Sequence, residues 1–251
     1  MKITFDFPYA AEGGNVATLL KETLNSYNIP YTYSIGKPDE EYFNMQRELT
    51  LKPIMVDNIA IRVLNEYNER NKVFDGVEIP QDIIIDLKSE GAFGTGTHPS
   101  TQLCLKALQS LVDSNTTLLD VGCGTGVLSI AAAKLGAKEA IGVDLSYPAV
   151  QCSIENAKLN GVDDKFTAIY GDLVDRISGK YNLIVANMLP DIIRDLLPQL
   201  NGYLTDDGKI VISGIMQFRS KEVETYATRY FDIGDVLIQD NWCCYVLKKK
   251  R

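Results

Sequence analysis

The densest grouping of chemically capable residues is Asp120-Val-Gly122-Cys-Gly124-Thr-Gly126, between an apolar run Thr117–Val121 and a second apolar run Val127–Leu135. Glycines at these positions let the chain turn tightly and let a ligand approach the backbone at the positive end of a following helix. Asp144 stands eighteen residues past Gly126, at the end of Ala140-Ile-Gly-Val143. A carboxylate there can take both hydroxyls of a ribose. A nicotinamide dinucleotide and a sulfonium nucleoside both meet such a pair. The spacing favours the second, because G-x-G-x-G leaves Val127 where the dinucleotide fingerprint needs its third glycine. Asp120 adds to this: a carboxylate at the strand end repels a pyrophosphate and attracts the ammonium of a methionine moiety. S-adenosylmethionine is the expected ligand.

Two further groups belong beside that loop. Asp172 follows the strand-like run Phe166–Tyr170, where a carboxylate can meet an adenine amine or cap the next segment. Ala92-Phe-Gly-Thr-Gly-Thr-His-Pro-Ser-Thr101 packs hydroxyls and the single histidine, His98, around Gly94 and Gly96. Thr97 or His98 can cap a helix that carries Pro99 in its first turn and Leu103, Cys104, Ala107, Leu108 and Leu111 as its apolar stripe.

The elements that must position these residues alternate strand-like and helix-like from about Thr116 onward, which predicts a parallel sheet covered by helices. A helix opened by Ser146 and Pro148 should bury Val150, Ile154 and Ala157. Tyr181–Ala186 reads as a strand, and the helix from Pro190 should bury Ile192, Ile193, Leu196, Leu197 and Leu200. Lys209–Ser213 reads as a strand and Phe218–Tyr230 as a helix. The last two strands, Ile233–Gln239 and Trp242–Leu247, predict an antiparallel hairpin added to the sheet, which suits a seven-stranded methyltransferase better than a dehydrogenase. Upstream, Ile59–Leu64 and Asp82–Leu87 read as a β pair. Lys2–Phe7, Ala17–Tyr27 and Pro30–Ile35 suggest a small α/β module over residues 1–50, with Asp39–Glu48 as a helical linker. The remainder, 51–251, is the cofactor-binding domain.

Composition narrows the partners. With 45% hydrophobic and 23% charged residues the chain is of ordinary globular type. No run approaches the ~20 apolar residues of a membrane span, and the early Asp6 and Pro8 do not fit a secretory leader, so a soluble cytoplasmic protein is expected. The net charge is −8 although the last four residues, Lys248 to Arg251, are all basic. Such a field repels phosphate backbones and attracts basic partners. The terminal basic run is expected to be a solvated tail, with a nucleic-acid contact as its lesser possibility. Cys104, Cys123, Cys152, Cys243 and Cys244 lack ligand spacing, so reduced thiols and no metal site are expected.

The segment 92–101, together with Asp120–Gly126, Gly142-Val-Asp144, Ala186-Asn-Met-Leu189 and Ser213-Gly-Ile215, closely resembles the PrmA family, the bacterial lysine methyltransferases of large-subunit ribosomal protein eleven. The likeness runs over roughly residues 90 to 250. It departs before the 92–101 segment, where Ile79-Pro80-Gln81 and Asp86-Leu-Lys-Ser-Glu90-Gly91 stand in place of a Pro-x-Trp and an Asp-Pro-Gly pattern; residues 1–50 match only as a strand-helix-strand module. The resemblance implies a Rossmann-like seven-stranded class I methyltransferase domain that uses S-adenosylmethionine, with a small N-terminal domain presenting a basic ribosomal protein, free or on the ribosome. By motif position it implies cofactor contacts from Thr101, Gly122, Asp144 and Asn187, which join Phe93, Asp120, Gly124, Gly126 and Asp172 as the expected cofactor-binding residues. The acceptors implied are lysine ε-amines or an N-terminal α-amine, held by the amide oxygen of Asn187 and a neighbouring carbonyl. His98 would serve as a proton acceptor, or shape the loop and touch the cofactor. In relatives that modify adenine or glutamine the turn after the strand carries Asn-Pro-Pro and an aromatic; here Met188, Leu189 and Pro190 offer nothing for a flat acceptor to stack on. The alternatives are the same fold acting on another protein, RNA or a small molecule, or a binding module without turnover.

Overall fold

The computed structural model describes residues 51–89 and 92–250, and from Lys52 onward the chain is one compact unit. The elements expected within residues 1–50 lie outside the described residues.

The compact unit is built on seven strands: β4 (Thr117–Val121), β5 (Glu139–Asp144), β6 (Phe166–Tyr170), β7 (Tyr181–Asn187), β8 (Leu204–Met216), β9 (Phe231–Gln239) and β10 (Trp242–Lys249). Their order is β6-β5-β4-β7-β8-β10-β9. The first five pair in parallel, and β10 inserts antiparallel to both β8 and β9. The expected terminal hairpin is therefore present. Its two-residue turn places Asp240 and Asn241 at φ 48° and 64°, the left-handed pair that a twisted hairpin requires.

Neighbouring strand residues face opposite sides, so Leu118 and Leu119 enter different cores. On one face α2 (Pro99–Leu111), α3 (Val127–Lys134) and α4 (Tyr147–Leu159) cover Leu118, Ala140, Leu183 and Val211; on the other, α5 (Pro190–Leu200) and α6 (Ser220–Ala227) cover Leu119, Ile184, Ile212 and Tyr245. Helix α3 is apolar all round because it is buried all round, from Val127 to Ala133. Beside the first face sits a small sheet of β1 (Ile54–Val56), β2 (Ile59–Val63) and β3 (Ile83–Leu87), with β2 and β3 parallel, and a single-turn helix α1 (Glu66–Arg70) lies between them.

The structure corrects several expectations. Ile192 is exposed, and Ile154 is only partly buried. The inner face of α4 instead includes the polar Ser153 and Asn156. Periodicity cannot choose between adjacent isoleucines such as Ile192 and Ile193; packing against β7 and β8 takes the second. The helix expected over Phe218–Tyr230 is a 3-10 turn (Gln217–Arg219) followed by α6. The basic terminus is not simply a tail, because β10 continues through Lys249, whose ammonium pairs with Asp206 at 3.1 Å. Among the described residues no helix is long and apolar enough to cross a membrane.

Candidate active site

The candidate site lies at the carboxyl ends of β5, β4 and β7, which are neighbours in the sheet. Gly122, Gly124 and Gly126 have φ of 74°, 54° and 80°, all in the left-handed region that side chains resist. The turn is fastened to β5, since the amides of Gly122 and Cys123 donate to the Val143 carbonyl at 2.7 and 3.1 Å. One residue further, Asp144 holds the loop directly: its Oδ2 accepts from the Gly124 amide at 2.9 Å and its Oδ1 from the Ser146 amide at 2.8 Å. Each oxygen keeps acceptor capacity for another donor, as a ribose diol would need.

Asp120 is deeper. It shares a strand face with Leu118 and points under α3, where its Oδ2 accepts the Ser129 hydroxyl at 2.8 Å. It is 1% exposed, and its Oδ1 has no hydrogen-bond partner among the described residues. Burial, helped by the nearby Asp144 charge, pushes its carboxyl up to about 7. A buried acceptor without a donor is rare in a folded protein and is what a cationic ligand would complete. Together with the bare glycine backbone and the Asp144 oxygens, this set of acceptors fits an S-adenosylmethionine molecule, whose ribose diol and ammonium donate.

The segment 92–98 lies across the glycine turn. The Thr125 amide donates to the Phe93 carbonyl at 3.0 Å, and the Thr125 hydroxyl to the Gly94 carbonyl at 2.8 Å. A Cβ at Gly124 would overlap that same Phe93 carbonyl, so a glycine is needed for the close approach as well as for the dihedral. Phe93 stays exposed and meets the His98 ring edge-on at 5.6 Å; on its other side His98 meets Trp242, from the start of β10, at 4.4 Å. His98 is the N-cap of α2, its Nδ1 accepting from the Ser100 amide at 3.2 Å and lying 2.7 Å from the Ser100 hydroxyl. An Nδ1 that accepts leaves the neutral ring's proton on Nε2, where the ring donates. Burial holds the imidazole below its ordinary range, so the neutral donor form persists.

At the end of β7, Asn187 donates its Nδ2 to the Thr101 hydroxyl oxygen at 3.1 Å. The turn that follows is held at each residue. The Met188 amide donates to the Ser213 carbonyl at 3.0 Å, and the Tyr226 hydroxyl donates to the Pro190 carbonyl at 2.8 Å. The Met188 backbone rests so closely on Gly214 (φ 85°) that a Cβ there would overlap it, while the Met188 side chain fills the space over Gly122. Arg219 straps the turn from outside, reaching Asp191 at 3.0 and 3.1 Å and Glu222 at 2.7 and 2.8 Å. Leu189 on this turn, Met216 at the end of β8 and Phe218 in the 3-10 turn are left exposed.

Of the residues singled out from sequence, the structure brings together Phe93, His98 and the three loop glycines with Asp144, and joins Thr101 to Asn187. Asp172 is exposed in the loop after β6, next to Gly171, whose amide donates to the Asp144 carbonyl at 3.1 Å; the Asp172 amide donates to Asp175 Oδ1 at 2.9 Å and its carbonyl accepts the Asp175 amide at 3.0 Å. Sequence reasoning missed Asn156, whose Nδ2 donates to the carbonyls of Lys88 and Thr125 (2.8 and 2.9 Å) while its Oδ1 accepts the Lys88 amide at 2.8 Å. Four residues on, Asn160 pairs with the amide and carbonyl of Asp86. An asparagine repeated at i and i+4 on the inner side of a helix was the available signal. Thr125, Ser129 and Trp242 were missed too, being ordinary in type and legible only from their neighbours. Among the described residues no cluster of histidine, cysteine or acidic side chains could hold a metal ion.

Comparison with known proteins agrees with this geometry. The family model of ribosomal protein L11 methyltransferase (PrmA) matches residues 16–250, a span that reaches well upstream of the motifs read above. The chain is 41% identical over 237 residues to a ribosomal protein L11 methyltransferase of Bacillus pumilus, covering 92% of this chain and 74% of that protein. It is 37% identical over 218 residues to one of Caldanaerobacter subterraneus, covering 86% and 67%. A crystal structure of a ribosomal protein L11 methylase from Lactobacillus delbrueckii superposes with a TM-score of 0.70 and 31% identity, over 80% of this chain and all of that one. The seven-stranded sheet, its glycine turn and the extended sequence match establish that this chain belongs to the ribosomal protein L11 methyltransferase family.

Proposed function

We propose that this family member, an S-adenosylmethionine-dependent methyltransferase, methylates amines of the large-subunit ribosomal protein for which the family is named, at lysine ε-amines or the N-terminal α-amine. The observation that carries this is the convergence, at the carboxyl edge of three adjacent strands, of the left-handed glycine turn, the Asp144 carboxylate and the Asn187 amide. Bound there, S-adenosylmethionine supplies an electrophilic methyl group on a cationic sulfur.

The protein's own residues divide the remaining work. Gly122, Gly124 and Gly126 offer backbone to the ligand, Asp144 takes the ribose, and Asp120 neutralises the ammonium. Phe93 covers the site from the segment above, and Asp172 meets the adenine edge. Asn187 holds the acceptor amine. A lysine amine with a free pKa of about 10.4 must lose its proton before it can react, which near pH 8 costs on the order of 3 kcal/mol. The positive charge of a bound sulfonium would disfavour the charged ammonium, and the amide oxygen of Asn187 accepts the hydrogens that the neutral amine retains. Such an acceptor gains strength as positive charge develops on nitrogen during transfer. With its Nδ1 engaged by Ser100, His98 fits the role of shaping the loop better than that of removing the proton. The turn's lack of an aromatic supports an aliphatic acceptor over a base or a planar amide.

Calorimetric titration with S-adenosylmethionine should give one saturable site that Asp144→Ala weakens. Incubating the labelled cofactor with whole ribosomes, then locating the label by mass spectrometry, should find it on the ribosomal protein. Label confined to RNA or to another protein would refute the assigned acceptor.

A further inference from the structure

Thr101 was expected among the cofactor contacts, and in the structure its hydroxyl oxygen has a protein partner. The side chain is 1% exposed, on the first turn of α2, and its oxygen accepts from Asn187 Nδ2 at 3.1 Å. Its place is fixed from both ends. The Thr101 amide donates to the His98 carbonyl at 3.1 Å, and His98 caps the helix through its own ring nitrogen. Across the gap, β7 is locked in register against β8, Asn187 opposite Ser213, and the next residue is pinned by Ser213 and Gly214. The helix and the strand are thus both rigid, and one hydrogen bond joins them beside the candidate reaction site.

An asparagine amide has two chemically opposite ends, and only one is useful here. A lysine amine about to be methylated carries hydrogens that need acceptors. If the NH2 end faced the site it would present donors to a donor. With the Thr101 oxygen occupied by Nδ2, the amide oxygen is left for the acceptor.

We infer that Thr101 is a positioning residue for the acceptor amine: by accepting from Asn187 Nδ2 it sets the orientation of that amide so that Oδ1 serves the substrate. This rests on Asn187 holding the amine, as proposed above, and assigns Thr101 to acceptor chemistry instead of cofactor binding.

Two substitutions separate the groups of the threonine. Thr101→Val keeps the shape and removes the hydroxyl; Thr101→Ser keeps the hydroxyl and removes the methyl. Three readouts apply: calorimetric affinity for S-adenosylmethionine, kcat on the recombinant ribosomal protein, and the NMR signals of the Asn187 side-chain NH2, assigned by their loss in Asn187→Ala. Thr101→Val is expected to keep cofactor affinity within about twofold, to lower kcat by about thirtyfold, in the range for one misaligned polar group, and to shift the amide signals toward those of an unbonded NH2. Thr101→Ser is expected to restore both kcat, within about threefold, and the amide signals. The inference is overturned if Thr101→Val weakens cofactor binding about tenfold at unchanged kcat, which would make the hydroxyl a cofactor contact. It is equally overturned if Thr101→Ser is as impaired as Thr101→Val, or if the amide signals do not move. Near-normal kcat in Asn187→Ala is a separate result, which removes the amine-holding role on which the inference stands.

Discussion

Asp120 is the residue whose environment is most at odds with its chemistry. An ordinary aspartate ionises near 3.9, whereas burial raises this one to about 7. In the unliganded protein its ionisation therefore opposes folding: above about pH 4 the unfolded chain releases the proton that the folded chain retains, so stability falls as pH rises toward 7 and then levels. A cationic ligand reverses the preference, because the ammonium favours the carboxylate. Affinity for S-adenosylmethionine should therefore tighten as pH rises through about 7, then weaken above about 8, where an α-amino group loses its own proton. Titrations from pH 5.5 to 9 test this, and Asp120→Asn should flatten the lower limb. A profile in Asp120→Asn that still rises through 7 would show that the ammonium is bound elsewhere.

At the scale of elements, two glycine-rich segments far apart in sequence are made into one surface by helix α4. Asn156 satisfies the Lys88 amide and carbonyl and the Thr125 carbonyl together, and Asn160 does the same for Asp86 one turn on. Alternate residues of β3 and the chain leaving it are bound to a helix as though to another strand, and that chain carries Phe93. Asn156→Ala should cost about 2–4 kcal/mol in urea unfolding, since several buried backbone groups lose partners at once; Asn160→Ala, at a more exposed position, should cost about 1. If the two cost the same, the coupling to the glycine turn is not what Asn156 contributes. These contacts also mark where the sequence stops being legible. Thr117–Val121 could be read to the residue, because a strand-like run, apolar at Leu118, Leu119 and Val121, ends at a glycine. The cap at His98 was visible because Pro99 follows it, and Gly122, Gly124, Gly126 and Asp144 announce themselves by spacing. By contrast β1 is three residues long, and β8 extends back through Asp206, Asp207 and Gly208, residues that read as a turn. Asn156 was passed over because its partners are backbone atoms sixty-eight and thirty-one positions away, and its repeat at Asn160 was the one local hint of them.

At the scale of the whole molecule the relevant property is charge. The chain carries 33 acidic against 25 basic side chains, and one of the terminal lysines is already committed to Asp206. Around the acceptor turn the local ion pairs largely cancel: Arg219 answers Asp191 and Glu222, and Arg194 lies against Asp191 and Asp195. The exposed side chains beside Asn187 are therefore mainly apolar, Leu189, Met216 and Phe218, and for the proposed basic acceptor the attraction would be a long-range effect of the surplus negative charge. Long-range fields are screened by salt and contacts within an enclosed site are not. Raising KCl from about 50 to about 300 mM should accordingly raise KM for the basic ribosomal protein about three- to tenfold, with kcat and cofactor affinity nearly constant. Phe218→Ser should raise KM by a factor that stays the same at both salt concentrations, since an apolar contact is not screened. A salt effect that appeared in kcat instead would show that exposed ion pairs hold the turn beside Asn187, and those of Arg219 would then be the first to examine.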